Sequence, residues 1–387
     1  MKTALLTLAL ILAALPAYAL KGEFGTGYSY LAYDSDFTAN GNEQTFPLSL
    51  RLSALEGRLR IHAGSSYEMG DYRQDAVAGA DLAAKTYVAK KISDSTVGAS
   101  FEAPLAAFTS VLALQLDLPT GDERWELNQL TDRQAPGNLP LSFYSSRYRG
   151  RGFGLNALLG LGRSVSSWDF GLAGGYLRSG AMEVGALSSP VEYDPGDYVV
   201  GILTVAKKTE VGRVRFKASA SFPQASQVGG TDTFTSPAST AFEVRYSTLG
   251  RDRFTVSFST ALYGKGQVTD ASGVLVDEER RSLGTRIEVK PSYRYVLGER
   301  WTLETRARWK QVGPNGYPED DLRFEGGGNL IGAGQGFRVS TGGGTFLTLD
   351  AAYDHLLHDK AARNLDYELT AVTYNVLAFK TGVGVAW

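Results

Sequence analysis

The chain has 387 residues, a formal net charge of −2 and no cysteine. The lack of cysteine excludes a disulfide framework, a thiolate metal site and a cysteine nucleophile. The near-zero charge gives no reason to expect a nucleic-acid partner. Glycine is abundant, with 45 residues against 13 prolines, and this composition favours twisted strands joined by tight turns.

The N-terminus has the form of an export signal that is later removed. Lys2 precedes an apolar run at 5–15, which is too short to cross a membrane as a helix. The sequence AYA at 17–19 has the small-x-small form that signal peptidase cuts. An uncleaved membrane anchor is the alternative, but no stop-transfer pattern follows. We therefore predict a cleaved signal peptide at 1–19 and a single domain at 20–387.

Polar and apolar residues alternate through most of the remaining chain. In the segment Arg213–Phe222, the odd positions are basic or small and polar, and the even positions are apolar. Successive side chains of a strand point to opposite faces, so one face of this strand is apolar and the other is basic. A soluble sandwich with a buried apolar face and a membrane barrel with an apolar face in lipid both satisfy this pattern.

Sixteen alternating segments are predicted as strands. Fourteen strands is the alternative, because the glycine-rich stretch 326–344 is hard to place. The predicted strands include Asp81–Ile92, Leu105–Leu118, Phe337–Leu356, Leu365–Tyr374 and Val376–Trp387. Short connections such as 93–95 alternate with long polar ones such as 35–44 and 119–149. Transmembrane barrels have short turns on one side and longer loops on the other, so the connections favour an antiparallel up-and-down transmembrane β-barrel of the all-β class.

Aromatic residues bracket the apolar face of two predicted strands. Trp301 and Trp309 lie eight residues apart on one face, which is about 27 Å along a strand. Trp168 and Tyr176 repeat this spacing. The lipid-facing band of a barrel is about 25 Å tall and has aromatic girdles at both edges. These four residues are therefore the predicted girdle, and a pair of core tryptophans is the alternative.

Basic residues dominate the opposite faces. Each would cost about 2–4 kcal/mol in lipid at mid-depth, so a barrel would turn them into its lumen. The predicted lumen-facing basic residues are Arg51, Arg58, Arg60, Arg213, Arg215, Lys217, Arg245, Arg286, Lys290, Arg294, Arg306, Arg308 and Lys310. Rings of Arg and Lys favour anions, so this pattern predicts an anion-preferring lumen. The equally weighted alternative is that these charges pair with loop acids and only keep the interior wet.

The longest connection, Pro119–Arg149, is a candidate for folding into the barrel and narrowing it. Its predicted constriction residues are Asp122, Glu123, Trp125, Glu126, Asp132 and Arg133. A loop packed outside as a lid is the alternative.

The chain ends on a strand pattern with a terminal aromatic residue. Phe379, Val383, Val385 and Trp387 share one face of the sequence VLAFKTGVGVAW. This strand resembles the closing strand of Gram-negative outer-membrane barrels. The resemblance implies export through the periplasm to the outer membrane, contact with outer-membrane lipid and lipopolysaccharide, and recognition by the barrel-assembly machinery. It also implies periplasmic short turns and extracellular long loops.

A second, shorter resemblance lies at LQLDLPTGDE, residues 114–123. This segment is similar to the strand-then-PTGD element of outer-membrane proteins associated with meta-pathway aromatic (phenol) degradation. The glycine-rich strand that follows, residues 152–162, is compatible with this resemblance, which covers about a fifth of the chain. The resemblance implies small aromatic or other organic substrates, often carboxylates.

An enzymatic site is not predicted. The three histidines are His62, His355 and His358, and none has the neighbours of a Ser–His pair. No catalytic residue, metal ligand or cofactor is therefore predicted. The expected function is a porin-like channel for passive or facilitated diffusion of small anionic solutes. An uptake barrel for hydrophobic or aromatic compounds, and a plugged barrel with a structural or rim-located role, stay open, as does assembly into a homotrimer.

Replacement of the terminal aromatic residue tests the C-terminal resemblance. Trp387→Ser is expected to lower the yield of assembled barrel in cells, because the closing strand loses its terminal aromatic residue. Heat-modifiable migration on gels measures the assembled fraction. Wild-type yield would contradict the assignment, and Trp301→Ser, on another strand, serves as the control.

Overall fold

The protein is described by a computed structural model that covers residues 20–36, 39–74, 85–121, 124–125, 134–135, 139–140, 152–184, 191–321, 323–363 and 369–387. The predicted signal peptide lies outside these residues. Within them, the secondary structure is almost entirely strand, with one 3-10 helix at Leu55–Gly57. In the same part of the chain, no helix is long and apolar enough to cross a membrane.

Sixteen antiparallel strands form a closed barrel. The strands are β1 (Lys21–Ser35), β2 (Ala39–Ala54), β3 (Leu59–Gln74), β4 (Lys85–Ile92 and Ser95–Leu105), β5 (Phe108–Leu118), β6 (Gly154–Val165), β7 (Trp168–Arg178), β8 (Tyr198–Lys208), β9 (Gly212–Pro223), β10 (Ser239–Thr248), β11 (Arg253–Tyr263), β12 (Arg286–Leu297), β13 (Trp301–Val312), β14 (Gly328–Gly342), β15 (Thr345–Arg363) and β16 (Leu369–Ala386). Each strand pairs with its neighbours in sequence, and β1 closes the barrel on β16. The predicted fold class and strand number are confirmed.

Connections at the two ends of the barrel differ in length. Seven connections of two to four residues lie at the end that holds both termini, which we call the turn end. The opposite, loop end holds the longer connections. Four non-glycine residues with positive φ all lie in turn-end connections: Leu55, Glu56, Ala106 and Ser166. This backbone matches the twist of hairpin strands.

Three predicted strand boundaries are wrong, and only the third changes the strand count, which an opposite error at the C-terminus restores. The predicted turn at 93–95 is an interruption within β4, whose two segments pair with the same strand β3. The real turn follows at Ala106, inside the predicted strand 105–118. The predicted strand 337–356 contains the turn between β14 and β15, where Gly343 and Gly344 adopt positive φ.

The C-terminal strand and the first connection also differ from prediction. The two predicted strands 365–374 and 376–387 are one continuous strand, β16. The predicted long loop 35–44 shrinks to three residues, because β2 begins at Ala39. Loop-end connections are therefore long except beside β1 and β16.

The outer surface of the barrel is apolar. In β7 the exposed positions alternate strictly and include Trp168, Phe170, Leu172 and Tyr176. On the outward faces of β5 to β9, the charged residues are Arg163, Arg178 and Lys207, all near strand ends. Lys207 lies 5.1 Å from the Trp168 ring centroid, and Arg163 lies 5.4 Å from that of Phe108. Cations beside aromatic rings at the edge of an apolar band fit a membrane–water interface.

The predicted girdle residues all lie on outward faces. Trp168, Tyr176 and Trp301 are exposed, and Trp309 is half-buried on the same face of β13 as Trp301. Trp301 packs against Phe337 with 5.0 Å between ring centroids. The aromatic residues therefore bracket the apolar band on β7 and β13.

A second sheet rises from the loop end over β7 to β12. Its seven short strands are Arg124–Trp125, Met182–Val184, Val191–Asp194, Ala225–Val228, Thr231–Thr235, Gln267–Thr269 and Leu275–Asp277. We call it the outer sheet. Its register places Tyr193, Val228 and Phe234 on one face, and Glu183 opposite Glu192 on the other. The outer sheet thus has an apolar face and an acidic face.

Adjacent residues of β9 test which face meets lipid. Ala218 shares its face with Phe216, and Ser219 shares its face with Lys217. Ala218→Arg is expected to lower the unfolding free energy by about 2–4 kcal/mol, the cost of arginine at mid-depth in lipid. Ser219→Arg is the matched control, with little expected change. Urea unfolding in lipid vesicles measures both, and equal losses would contradict the assignment of faces.

Candidate functional site

Three cavities lie along the inward faces of the strands within the described part of the chain. Cavity A has a volume of about 860 Å³ and is lined from β10–β16 together with β1 and β2. Cavity B has a volume of about 550 Å³ and is lined from β3 to β10. Cavity C, of about 870 Å³, lies beside the chain termini at the turn end. Because each cavity is bounded by many strands of one closed sheet, together they form the lumen.

The structure places twelve of the thirteen predicted basic residues on inward strand faces. Arg51 and Arg60 line cavity C, Lys217 lines cavity B, and Arg245 lines cavity A with Lys290, Arg306 and Arg308. The inward faces of β9, β12 and β13 also carry Arg213, Arg215, Arg286, Arg294 and Lys310. The thirteenth, Arg58, follows the 3-10 helix in a turn-end connection and lies outside the strands.

Many of these bases are held by acids that the sequence pattern did not assign to the lumen. Asp169 of β7 binds Arg213 at 2.9 Å and Lys208 at 3.5 Å. Glu102 of β4 binds Arg60 at 3.1 Å. On the charged wall, which we define as the inward face of β9 to β16, Asp350 binds Arg306 and Asp354 binds Arg308. Ion pairs therefore engage five of the basic residues on this wall: Arg213, Arg215, Lys290, Arg306 and Arg308.

Glycines of β14 make room for the two ion pairs that join arginines of β13 to aspartates of β15. These strands are separated by β14, whose inward positions opposite the arginines are Gly332 and Gly334. A Cβ at Gly332 would overlap the Asp354 carboxylate, and one at Gly334 would lie 3.1 Å from Nε of Arg306. The arginine side chains therefore lie across the bare backbone of β14. This explains the glycine-rich stretch that the sequence alone left unplaced.

Among the basic residues that line cavities A and B, three form no ion pair within the described part of the chain: Lys217, Arg245 and Lys380. Glu243 lies opposite Lys217 in the sheet, but its carboxylate is bound by Arg215 at 2.8 Å. Asp350 lies opposite Lys380 in the same way, and its carboxylate is bound by Arg306. Each lysine thus faces the lumen beside an acid that an arginine already engages.

The wall across cavity B differs from the charged wall. We define the neutral wall as the inward face of β5 to β8, where the cavity is lined by Ala113, Gln115, Asn156, Leu158, Leu177, Val200 and Ile202. The charges on this face, such as Asp117 and Asp169, lie near the strand ends. The sequence pattern did not predict this wall, because β8 is apolar on both faces and the inward face of β6 is rich in glycine.

The lumen is packed toward its loop end beside β14 to β16. Leu330, Leu356, Val372 and Val376 are inward-facing yet have at most 1% of their surface exposed. Val376 also borders cavity A. Near the loop end, the open part of the lumen therefore lies closer to the other strands than to β14–β16.

The predicted constriction residues are only in part within the described structure. Asp122, Glu123, Glu126, Asp132 and Arg133 lie outside the described residues. Trp125 pairs with Val184 in the outer sheet. Whether the loop narrows the lumen stays a prediction.

The histidines occupy three separate places. His62 borders cavities B and C, and its ring lies over Gly98, where a Cβ would overlap it. His355 faces outward beside Asn375, 3.0 Å from the amide oxygen. His358 is buried near the loop end, 3.2 Å from the Gly326 carbonyl oxygen.

The connection between β13 and β14 is fastened at the loop end by charged contacts. Arg323 binds Asp321 through two nitrogens at 3.0 and 2.7 Å and lies 4.2 Å from the Tyr317 ring centroid. Burial, followed by the nearby Glu278 carboxylate, raises the pKa of the Tyr317 hydroxyl. The Asp321 hydrogen bonds raise the pKa of the Arg323 guanidinium. Both groups therefore keep their ordinary charge states at neutral pH.

The closed sixteen-strand architecture and its apolar outer surface define an outer-membrane type of β-barrel protein. No protein-family model and no curated protein matches the chain. Among solved structures, OmpT of Vibrio cholerae aligns over 96% of this chain and 99% of its own, with 11% identity and a TM-score of 0.43. OccK7 of Pseudomonas aeruginosa aligns over 95% and 98%, with 10% identity and a TM-score of 0.44. A TodX deltaS2S3 mutant, a monoaromatic hydrocarbon channel, aligns over 94% and 90%, with 11% identity and a TM-score of 0.47.

Two glycine substitutions test the packing of arginines over β14. Gly332→Ala is expected to displace the Asp354 carboxylate from Arg308 and lower the unfolding free energy by about 1–3 kcal/mol, because a half-buried charge loses its partner. Gly201→Ala is the matched control, since a Cβ there meets nothing within 4 Å. It is expected to leave stability unchanged or to raise it slightly. Urea unfolding in vesicles compares them, and equal effects would contradict this account.

Proposed function

We propose that the protein is an outer-membrane channel for passive or facilitated diffusion of small anionic solutes. The observation that carries the proposal is the set of three bases without an ion pair on the walls of cavities A and B: Lys217, Arg245 and Lys380. The barrel is embedded in outer-membrane lipid and lipopolysaccharide after assembly by the barrel-assembly machinery, and no cofactor takes part.

Ion pairs and unpaired bases contribute differently to selectivity. A pair such as Arg308 and Asp354 presents a dipole, whose field falls off quickly beyond the pair. An unpaired lysine presents a full charge, which acts across most of a lumen over a Debye length of about 8–10 Å. The unpaired bases therefore set the sign of the preference, and the pairs contribute a wet, polar surface.

A second candidate is a barrel closed near its loop end that acts through its rim. The buried inward cluster at Leu330 and Leu356 favours it, as does the outer sheet with its separate acidic and apolar faces. Uptake of hydrophobic or aromatic compounds is a third candidate, and the neutral wall is the feature that suits it. Conductance separates the first candidate from the second.

Single-channel recording of the refolded mature chain in a planar bilayer tests the proposal. The expected result is stepwise conductance. In a salt gradient, the sign of the reversal potential is expected to show a preference for anions. A folded barrel without conductance would refute the channel and favour the rim role. A cation preference would refute the assignment of selectivity to the unpaired bases.

Two lumen variants, one that removes basic residues and one that removes acidic residues, make this test more specific. Arg245→Gln with Lys380→Gln is expected to lower the anion-to-cation permeability ratio by about tenfold per charge, since a unit charge about 6 Å from an ion stabilises an anion and destabilises a cation by roughly 0.7 kcal/mol each in water. Asp350→Asn with Asp354→Asn is expected to raise the ratio, because two arginines lose their counter-charges. The matched control is Arg163→Gln, on the outer face, which leaves the ratio unchanged. Shifts of one sign in both lumen variants would contradict the assignment.

A further inference from the structure

The neutral wall contains an aliphatic patch where a barrel interior is ordinarily polar. Its members Leu158, Leu177, Val200 and Ile202 are partly exposed and border cavity B. Leu158 and Val200 lie on either side of Gly175 in the register of β6, β7 and β8. A Cβ at Gly175 would lie 3.1 Å from Cγ2 of Val200, so the lack of a side chain at Gly175 lets Val200 pack over the backbone of β7 beside Leu158.

A basic residue lies at one end of this patch. Lys217 faces Thr204 across the β8–β9 pairing, and Ile202 is the next inward residue toward the loop end. The two are therefore diagonal neighbours, about 7–8 Å apart. Val200 lies two residues further, about 7 Å along the strand. Cation and patch thus form a linear arrangement along the axis of the strands.

The residues between them add hydrogen-bonding groups but no negative charge. Ser219 and Ser221 lie opposite Ile202 and Val200, and both border cavity B. The carboxylate nearest in register to Lys217 is that of Glu243, which Arg215 holds at 2.8 Å. An anionic group at Lys217 therefore meets a site with positive charge.

We propose that cavity B is a subsite for amphipathic monocarboxylates, with the carboxylate at Lys217 and an apolar body of about six carbons on the patch at Ile202 and Val200. The proposal deepens the channel function and rests on it for physiological meaning. A purely hydrophilic anion meets only the lysine, and a neutral hydrocarbon meets only the patch. Only a molecule with both a carboxylate and an apolar body contacts Lys217 and the patch together, so the site selects amphipathic monocarboxylates.

Isothermal titration of the folded full-length mature barrel in lipid nanodiscs tests the subsite without requiring conduction. The probes are acetate and hexanoate, which share a carboxylate and differ by four methylene groups. Hexanoate is expected to bind about 15-fold more tightly, the gain from burying roughly half of those groups. Empty nanodiscs give the correction for partition into lipid. Equal affinity for the two probes would overturn the proposal.

Two pairs of variants assign the affinity to its parts. Val200→Thr with Ile202→Thr keeps the β-branched shape and is expected to remove most of the hexanoate advantage while leaving acetate unchanged. Val199→Thr, on the lipid face of the same strand, is its control. Lys217→Gln is expected to weaken both probes by about tenfold, the scale of a lost charge-assisted hydrogen bond. Lys207→Gln, on the lipid face of β8, is its control.

The outcomes separate this inference from the channel proposal. If Val199→Thr or Lys207→Gln lowers the affinity as strongly as the cavity B variants do, the subsite is overturned. Anion-selective conductance with no hexanoate preference keeps the channel and refutes the subsite. A hexanoate preference that depends on Lys217 and Val200 in a barrel without conductance keeps the subsite and refutes the channel.

Discussion

The structure depends on the need to satisfy every backbone hydrogen-bonding group inside the hydrocarbon core of the membrane. A strand in lipid has no water to satisfy its N–H and C=O groups, so each must pair with a neighbouring strand, and the sheet must close on itself. The pairing of β1 with β16 meets this requirement over Glu23–Ser35 and Tyr374–Ala386. Once the sheet is closed, the alternation of side chains divides the chain into a lipid face and a lumen face. Every later feature of the lumen depends on that division.

The lumen face is itself divided between two kinds of wall. Lys217 stands near their boundary, since β9 belongs to the charged wall and its neighbour β8 to the neutral wall. Charged residues are accommodated on one side by mutual pairing, which limits their desolvation. The other side leaves partly exposed aliphatic residues in contact with cavity water. This asymmetry gives the lumen two different surfaces at the same depth.

Much of the barrel could be predicted from the local alternation of polar and apolar residues. The features that were missed depend on contacts between distant strands or have no characteristic residue type in the sequence. The faces of Arg213, Arg215 and Lys217 follow from period two alone. The turn at Ala106 was missed because it contains no glycine, asparagine or proline and still adopts a left-handed backbone. The acids Asp350 and Asp354 were missed because their arginines lie two strands away, and no local pattern reports that distance. The neutral wall was missed because β8 is apolar on both faces and the inward face of β6 is rich in glycine.

The crossing of β14 by two arginines has a consequence for how this sequence can vary. Gly332 carries no side chain because Arg308 and Asp354 occupy its space, and the two charges in turn depend on each other for neutralisation. A larger residue at 332 is compatible with the fold only if the arginine or the aspartate is replaced as well. Gly334 and Arg306 are linked in the same way. In a set of related sequences, these positions would change as linked groups, and their covariation would join strands that share no backbone hydrogen bond.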